Sequence, residues 1–263
     1  MIPKIIHYCW FGKTPKSPFI KLCMKTWKDK MPDYEWKEWN ENTFDINSIP
    51  FVREAYKAKK WAFVADYVRL YALYTEGGIY MDTDVKVIKP FDEFLKYNFF
   101  SSHEKYDFFY DEEEQNKLDK NKRLKNGFKY IEGFGVLSAI MGSVPSLPYL
   151  KDCLSYYNNL EFNLDKKHIN NYIIGKHLSY IMSKYGYRFD DVTQHLKDEM
   201  IIFPSDVFVG NMQFLNKNSY AIHLCNGSWT ENANSFNNRI KNQYPTISPI
   251  YFFFVKIWKK LFH

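Results

Sequence analysis

The stretch WAFVADYVRLYALYTEGGIYMDTDV, residues 61–85, decides the fold. From Trp61 to Thr75 apolar residues recur at helical spacing, and Gly77-Gly78 stands where a left-handed residue ends a helix. Ile79 to Met81 then reads as a short strand, Asp82-Thr83-Asp84 as its tip, and Val85 to Ile88 as a return to β pattern before Pro90. Helix, glycine turn, strand and acidic tip together predict an α/β protein. Ligands of open α/β sheets gather at the carboxyl ends of the strands, which is where the two aspartates fall.

Asp82 and Asp84 offer hard oxygen ligands of the kind that suit Mg²⁺ or Mn²⁺, whose remaining positions go to phosphate oxygens and water. A lone Asp-x-Asp arises about once by chance in a chain of this composition, and a solvated acidic turn would read the same. The neighbours give it weight. Asp66 and Arg69 are three apart in the preceding helix and so share a face, which the glycine turn folds back toward the strand tip. Three carboxylates and a guanidinium are then expected in one cleft, although an ordinary helix ion pair fits the Asp66–Arg69 spacing as well.

Working outward, Lys4 to Trp10 reads as a buried first strand stopped by Gly12 and Pro15, Pro18 to Lys30 as a helix, and Tyr34 to Trp39 as a second strand. The pattern breaks down between His103 and Tyr130, where the acidic run Asp111–Glu114 gives way to lysines, so residues 103–130 read as a surface excursion. Ile131 to Ile140 restores regular structure. Helices follow at Leu147–Tyr157 and Asn170–Tyr185, with apolar segments near Ile201–Phe208 and Tyr220–Leu224. One catalytic domain over 1–245 is expected, followed by a basic, aromatic helix over 246–263. In that tail Lys256, Lys259, Lys260 and His263 fall on one stripe, with Phe254, Ile257, Trp258 and Leu261 largely off it. Such a helix either lies on an anionic membrane surface or docks on the core.

The chain has 263 residues, enough to bury an extensive core, with 19% aromatic residues that can pack an interior or stack on bases and sugars. Five basic residues and no acid lie beyond Asn232, so the formal charge of +6 sits mainly in the tail. That distribution does not suit nucleic acid, which calls for a basic stripe on a folded face. Cys9, Cys23, Cys153 and Cys225 lie far apart without a Cys-x-x-Cys pair, which excludes a cysteine zinc cage and predicts a reducing, cytoplasmic setting. No apolar run approaches the roughly 20 residues that span a bilayer, so any membrane association is expected to be peripheral, on the inner face.

Residues 61–85 resemble the signature of glycosyltransferase family 32, which includes yeast initiating mannosyltransferases and bacterial capsular polysaccharide enzymes. The same stretch is similar to the catalytic domain of the large clostridial glucosylating toxins. IPKIIHYCWFG at the start and AIHLCNGSW near the end resemble the opening strand and closing motif of the same group. The resemblance implies a GT-A fold, a Rossmann-like nucleotide-sugar-binding domain. It implies that Trp10 stacks on the uracil of the donor, that Asp66 and Arg69 hold sugar hydroxyls, and that Asp84 binds the cation. Asp82 would meet ribose, sugar or the metal shell. His223 and Ser228 compete as further metal ligands, with Trp229 near the phosphates; Trp10 and His223 could equally be buried core residues. The implied activity is metal-dependent transfer of a hexose from a nucleotide sugar, in particular a UDP-hexose, with retention, to a glycan or lipid-linked glycan in surface polysaccharide synthesis. Carboxylates about 5 Å apart would mark a retaining glycosidase, but the family reacts without a protein nucleophile. A haloacid-dehalogenase-like phosphatase is disfavoured by Lys86, two residues after Asp84, and by the position of Asp82 behind a helix-rich stretch. A non-catalytic carbohydrate-binding protein on the same fold is the alternative in kind.

Overall fold

The computed structural model describes residues 1–158, 160–163, 172–225 and 243. The expected helix over 246–263 lies outside the described residues, as do Ser228 and Trp229. Strand β1 (Ile5–Cys9) leads to helix α1 (Pro18–Lys30), which has Pro18 in its first turn and Ser17 as N-cap. Ser17 Oγ accepts from the Ile20 amide at 3.3 Å, satisfying one of the helix's orphan donors. Strand β2 (Glu35–Trp39) and helix α2 (Pro50–Lys57) follow; the turn-rich composition before Pro50 gave no sign of α2.

Helix α3 (Trp61–Glu76), strand β3 (Gly78–Met81) and strand β4 (Val85–Val87) reproduce the expected helix, turn, strand and tip. Gly77 and Gly78 both have positive φ, 67° and 105°. A Cβ on Gly78 would sit 2.7 Å from the Ile5 carbonyl oxygen, so packing as well as conformation requires glycine there. The excursion opens on strand β5 (Phe99–Lys105), whose buried start sits in the central sheet, and holds a short helix α4 (Glu112–Gln115). Strands β6 (Phe134–Val136) and β7 (Ile140–Ser143), helices α5 (Pro148–Tyr157) and α6 (Ile174–Ser183), and strands β8 (Gln194–His195), β9 (Met200–Phe203), β10 (Phe208–Val209) and β11 (Ala221–His223) complete the described elements.

The main sheet runs β2-β1-β3-β7-β5-β9-β8, with β6 on the far part of β5. β1 pairs parallel with β2 and β3, whereas β7 is antiparallel to both β3 and β5. A second, three-stranded sheet is ordered β10-β11-β4, and its β11–β4 pair is antiparallel with His223 opposite Val85. Helix α3 packs its Val64, Val68 and Leu73 into one core cluster, while α1 buries Trp27 and Met24 in the other. Trp27 Nε1 donates to the Val85 carbonyl at 2.7 Å, tying α1 to the strand just beyond the acidic tip. Among the described residues no helix is long and apolar enough to cross a membrane.

A buried histidine holds the turn that aims β3. His7 is fully buried, and its Nδ1 accepts from Trp39 Nε1–H at 3.0 Å. That leaves Nε2 as the protonated nitrogen, donating to the Gly77 carbonyl at 2.7 Å. Burial lowers its pKa below the ordinary 6.5, so the folded protein keeps the ring neutral. The unfolded chain binds the proton first as pH falls, so this contribution is complete above 6.5 and lost in the acid range below it. His7→Leu, which leaves the Gly77 carbonyl and the Trp39 N–H unpaired, should lose about 1–3 kcal/mol in urea denaturation. The same variant should show a flatter acid limb of stability than the wild type.

Candidate active site at the tip of strand β3

The carboxyl ends of β1 and β3 lie along one edge of the sheet because the two strands are parallel. Asp82 leaves β3 with its amide bonded to the Ala139 carbonyl at 2.9 Å, and Val85 N closes the tip by bonding Asp82 O at 3.0 Å. On α3, Asp66 and Arg69 face this tip. The guanidinium is 4% exposed and sits 2.8 Å from Asp66 Oδ1 and 3.4 Å from Asp82 Oδ1. It also donates to the Ser138 carbonyl at 2.9 Å and lies over the Tyr80 ring, 4.7 Å from its centroid. The Asp66–Arg69 pair is thus a helix ion pair by spacing and a bridge to the strand tip by position.

Tyr80 was not singled out from the sequence, yet its hydroxyl donates to Asp82 Oδ1 at 2.7 Å. The signal was there: residues two apart in a strand share a face. Burial pushes the Asp66 carboxyl up to about 7, against the pull of Arg69 and with a further push from Asp82.

The second sheet supplies the remaining group. The β11–β4 register, with Leu224 N bonded to Asp84 O at 3.2 Å, carries His223 to the acidic tip from well over a hundred residues away. Its Nε2 stands 3.2 Å from Asp84 Oδ1 and 3.9 Å from Asp82 Oδ2. Burial opposes a charge on this ring, but the Asp84 carboxylate overcomes it and lifts the pKa well above 6.5. Ligand atoms of Asp82, Asp84 and His223 all lie within 4.8 Å of one another. Two carboxylate oxygens and one imidazole nitrogen form a donor set suited to a divalent cation that keeps open positions for further oxygens.

Trp10 follows β1 on the same edge, with its amide on the Trp39 carbonyl at 2.9 Å. Its indole is partly exposed, donates to the Thr14 carbonyl at 2.6 Å, and lines a cleft of about 480 Å³ with Lys13, Lys16, Glu38 and Glu41. Lys16 Nζ lies 5.2 Å from the Trp10 ring centroid. A larger cavity of about 810 Å³, bordered by Lys89, Asp206, Asn218 and Tyr220, shares no residue with the acidic cluster.

Residues 19–101 match the family described as a glycosyltransferase sugar-binding region containing the DXD motif. An initiation-specific α-1,6-mannosyltransferase of Candida albicans is 32% identical over 35% of this chain and 27% of its own length. An inositol phosphoceramide mannosyltransferase of Schizosaccharomyces pombe is 36% identical over 36% of this chain and 28% of its own. The chain therefore spans under a third of the length of these two curated relatives. Among solved structures, the PaToxG glycosyltransferase is 17% identical with a TM-score of 0.47 over 70% of this chain and 69% of that one. A galactosyltransferase in complex with donor and acceptor sugar analogues is 10% identical, with a TM-score of 0.44 over 89% and 92%.

Removing the buried guanidinium while leaving its two carboxylates should be costly. Arg69→Met is expected to lose roughly 3–5 kcal/mol of stability. Adding Asp66→Asn should recover part of that loss, a non-additivity visible in a urea double-mutant cycle. Within the segment 19–101 that matches this family, Asp82-Thr83-Asp84 is the only D-x-D triplet of the sequence.

Proposed function

We propose that the protein is a hexosyltransferase of GT-A type, taking a hexose from a nucleotide sugar, in particular a UDP-hexose, and passing it with retention to a glycan or lipid-linked glycan. The observation that carries this reading is the meeting of Asp82, Asp84 and His223 within 4.8 Å, backed by Arg69, with Arg69 and both aspartates inside the segment that matches the DXD family. Both curated relatives described above are named as mannosyltransferases, one of them acting on inositol phosphoceramide, which fits a hexose donor and a lipid-bearing acceptor.

In this reading Asp82, Asp84 and His223 would hold Mn²⁺ or Mg²⁺, which when bound supplies positive charge where the diphosphate leaves. The remaining work belongs to the chain. Arg69 keeps Asp82 oriented, Asp66 offers a carboxylate oxygen to the hydroxyls of the donor sugar, and Trp10 provides a flat face for the base. Ser228 would compete with His223 as a ligand of the cation, and Trp229 would approach the phosphates. The basic tail beyond Asn232 would draw the enzyme to an anionic membrane surface holding lipid-linked acceptors.

Hydrolysis of a panel of nucleotide sugars with Mn²⁺ tests the reading. Asp84→Ala and His223→Ala are each expected to lower turnover about 100-fold or more. Activity that survives Asp84→Ala, or a chelator, would sink the metal role. The acid dependence has a fixed sign. His223 must shed its proton to ligate, and its pKa is raised, so Mn²⁺ affinity should climb as pH rises through that raised value. Calorimetry in buffers of different ionisation enthalpy should register the released proton, and His223→Ala should abolish that release.

A further inference from the structure

Glu104 is a carboxylate beside the site that none of the roles above uses. It lies near the end of β5, half-buried, and its charge is felt with those of His223, Asp82 and Arg69. A chain of contacts joins it to the metal cluster. Tyr106 Oη donates to Glu104 Oε1 at 3.1 Å and stands 3.8 Å from Cys225 Sγ, which is 3.5 Å from His223 Nδ1. Among the described residues Glu104 has no ion pair, and its Oε2 takes no hydrogen bond.

Its surroundings are kept clear by glycine. A Cβ on Gly210 would come within 2.9 Å of Glu104 Cγ and Oε1. An uncompensated carboxylate in a partly buried place is costly unless something hydrogen-bonds to it. Burial raises its pKa, while His223 and the Tyr106 hydroxyl pull the other way. Asp66 and Arg69 meet the strand tip from α3, whereas Glu104 on β5 is linked to His223 through Tyr106 and Cys225.

We infer that Glu104 is a substrate-touching residue on the acceptor side: its Oε2, unbonded among the described residues, receives a hydrogen bond from the incoming molecule and holds the attacking oxygen against the donor sugar. For a sugar acceptor the bond comes from a hydroxyl neighbouring the one that reacts; for water, in hydrolysis, it comes from the second O–H. The attacking oxygen forms a bond to the anomeric carbon, and the bond from that carbon to the diphosphate oxygen breaks, its electron pair leaving with the diphosphate. The proton of the attacking hydroxyl goes to that diphosphate oxygen, and Glu104 takes none. This inference rests on the sugar-transfer reading.

Water serves as the probe acceptor, which removes the need to know the natural one. Hydrolysis of UDP-glucose, UDP-galactose and GDP-mannose with Mn²⁺ is measured for wild type, Glu104→Ala and Glu104→Gln, each checked for unchanged melting temperature. Glu104→Ala should lower kcat about 10- to 100-fold, the scale of a misplaced reactant, with donor KM within twofold of wild type. Glu104→Gln retains an accepting oxygen and should recover a measurable part of that kcat while melting like the wild type. A rise in donor KM at unchanged kcat would assign Glu104 to the donor hexose and overturn the inference. Unaltered kinetics in both variants would overturn it as well, leaving the sugar-transfer reading intact. Absence of hydrolysis by the wild type with all three donors would overturn both readings together.

Discussion

Everything at the acidic tip depends on one buried cation. Arg69 is almost without solvent, and a guanidinium in that position is tolerable only if its donors are met by charge and carbonyl oxygen. Asp66 meets it from its own helix, Asp82 from the strand tip, and the Ser138 carbonyl from the segment leading into β7. Three parts of the chain are thereby held to one point, and the strand tip is positioned before any ligand arrives. The arrangement also answers an electrostatic difficulty, since carboxylates gathered in one place repel unless positive charge lies among them.

The opposite side of the tip is balanced by His223. Its place is set by the β11–β4 pairing and by the α1 indole that anchors β4 through the Val85 carbonyl. Asp84 in turn favours the charged form of the ring, because its carboxylate lifts the imidazole pKa well above 6.5. Fixed positive charge lies behind Asp82, and a titratable ring lies in front of Asp84.

His7 shows how far the supports of the site extend. It lies in β1, but its ring bonds the Gly77 carbonyl and so holds the end of α3 against the start of β3. The two glycines permit a turn that no side chain would fit, and the histidine secures it. The angle at which Asp66 and Arg69 meet Asp82 is therefore fixed by residues outside the cleft.

The sequence by itself determined the local pieces around the site: the α1 helix behind Pro18, the helix from Trp61, the glycine stop, the strand and the acidic tip. These follow from periodicities of 3.6 and 2 and from the backbone demands of glycine and proline, all properties of neighbouring residues. Asp66 and Arg69 on one face, and Asp82 and Asp84 at a strand end, were readable for the same reason. Tertiary structure alone decided the rest. Helix α2 lacked a turn of recognisable capping, and the placement of β5 with Glu104, inside what read as a surface excursion, depended on partners far along the chain. The approach of His223 to Asp84, of the Ser138 carbonyl to Arg69 and of Gly210 to Glu104 depends on strand register between distant segments. A register is chosen by the packing of whole faces, and a one-residue slip of β11 on β4 would turn His223 to the other face.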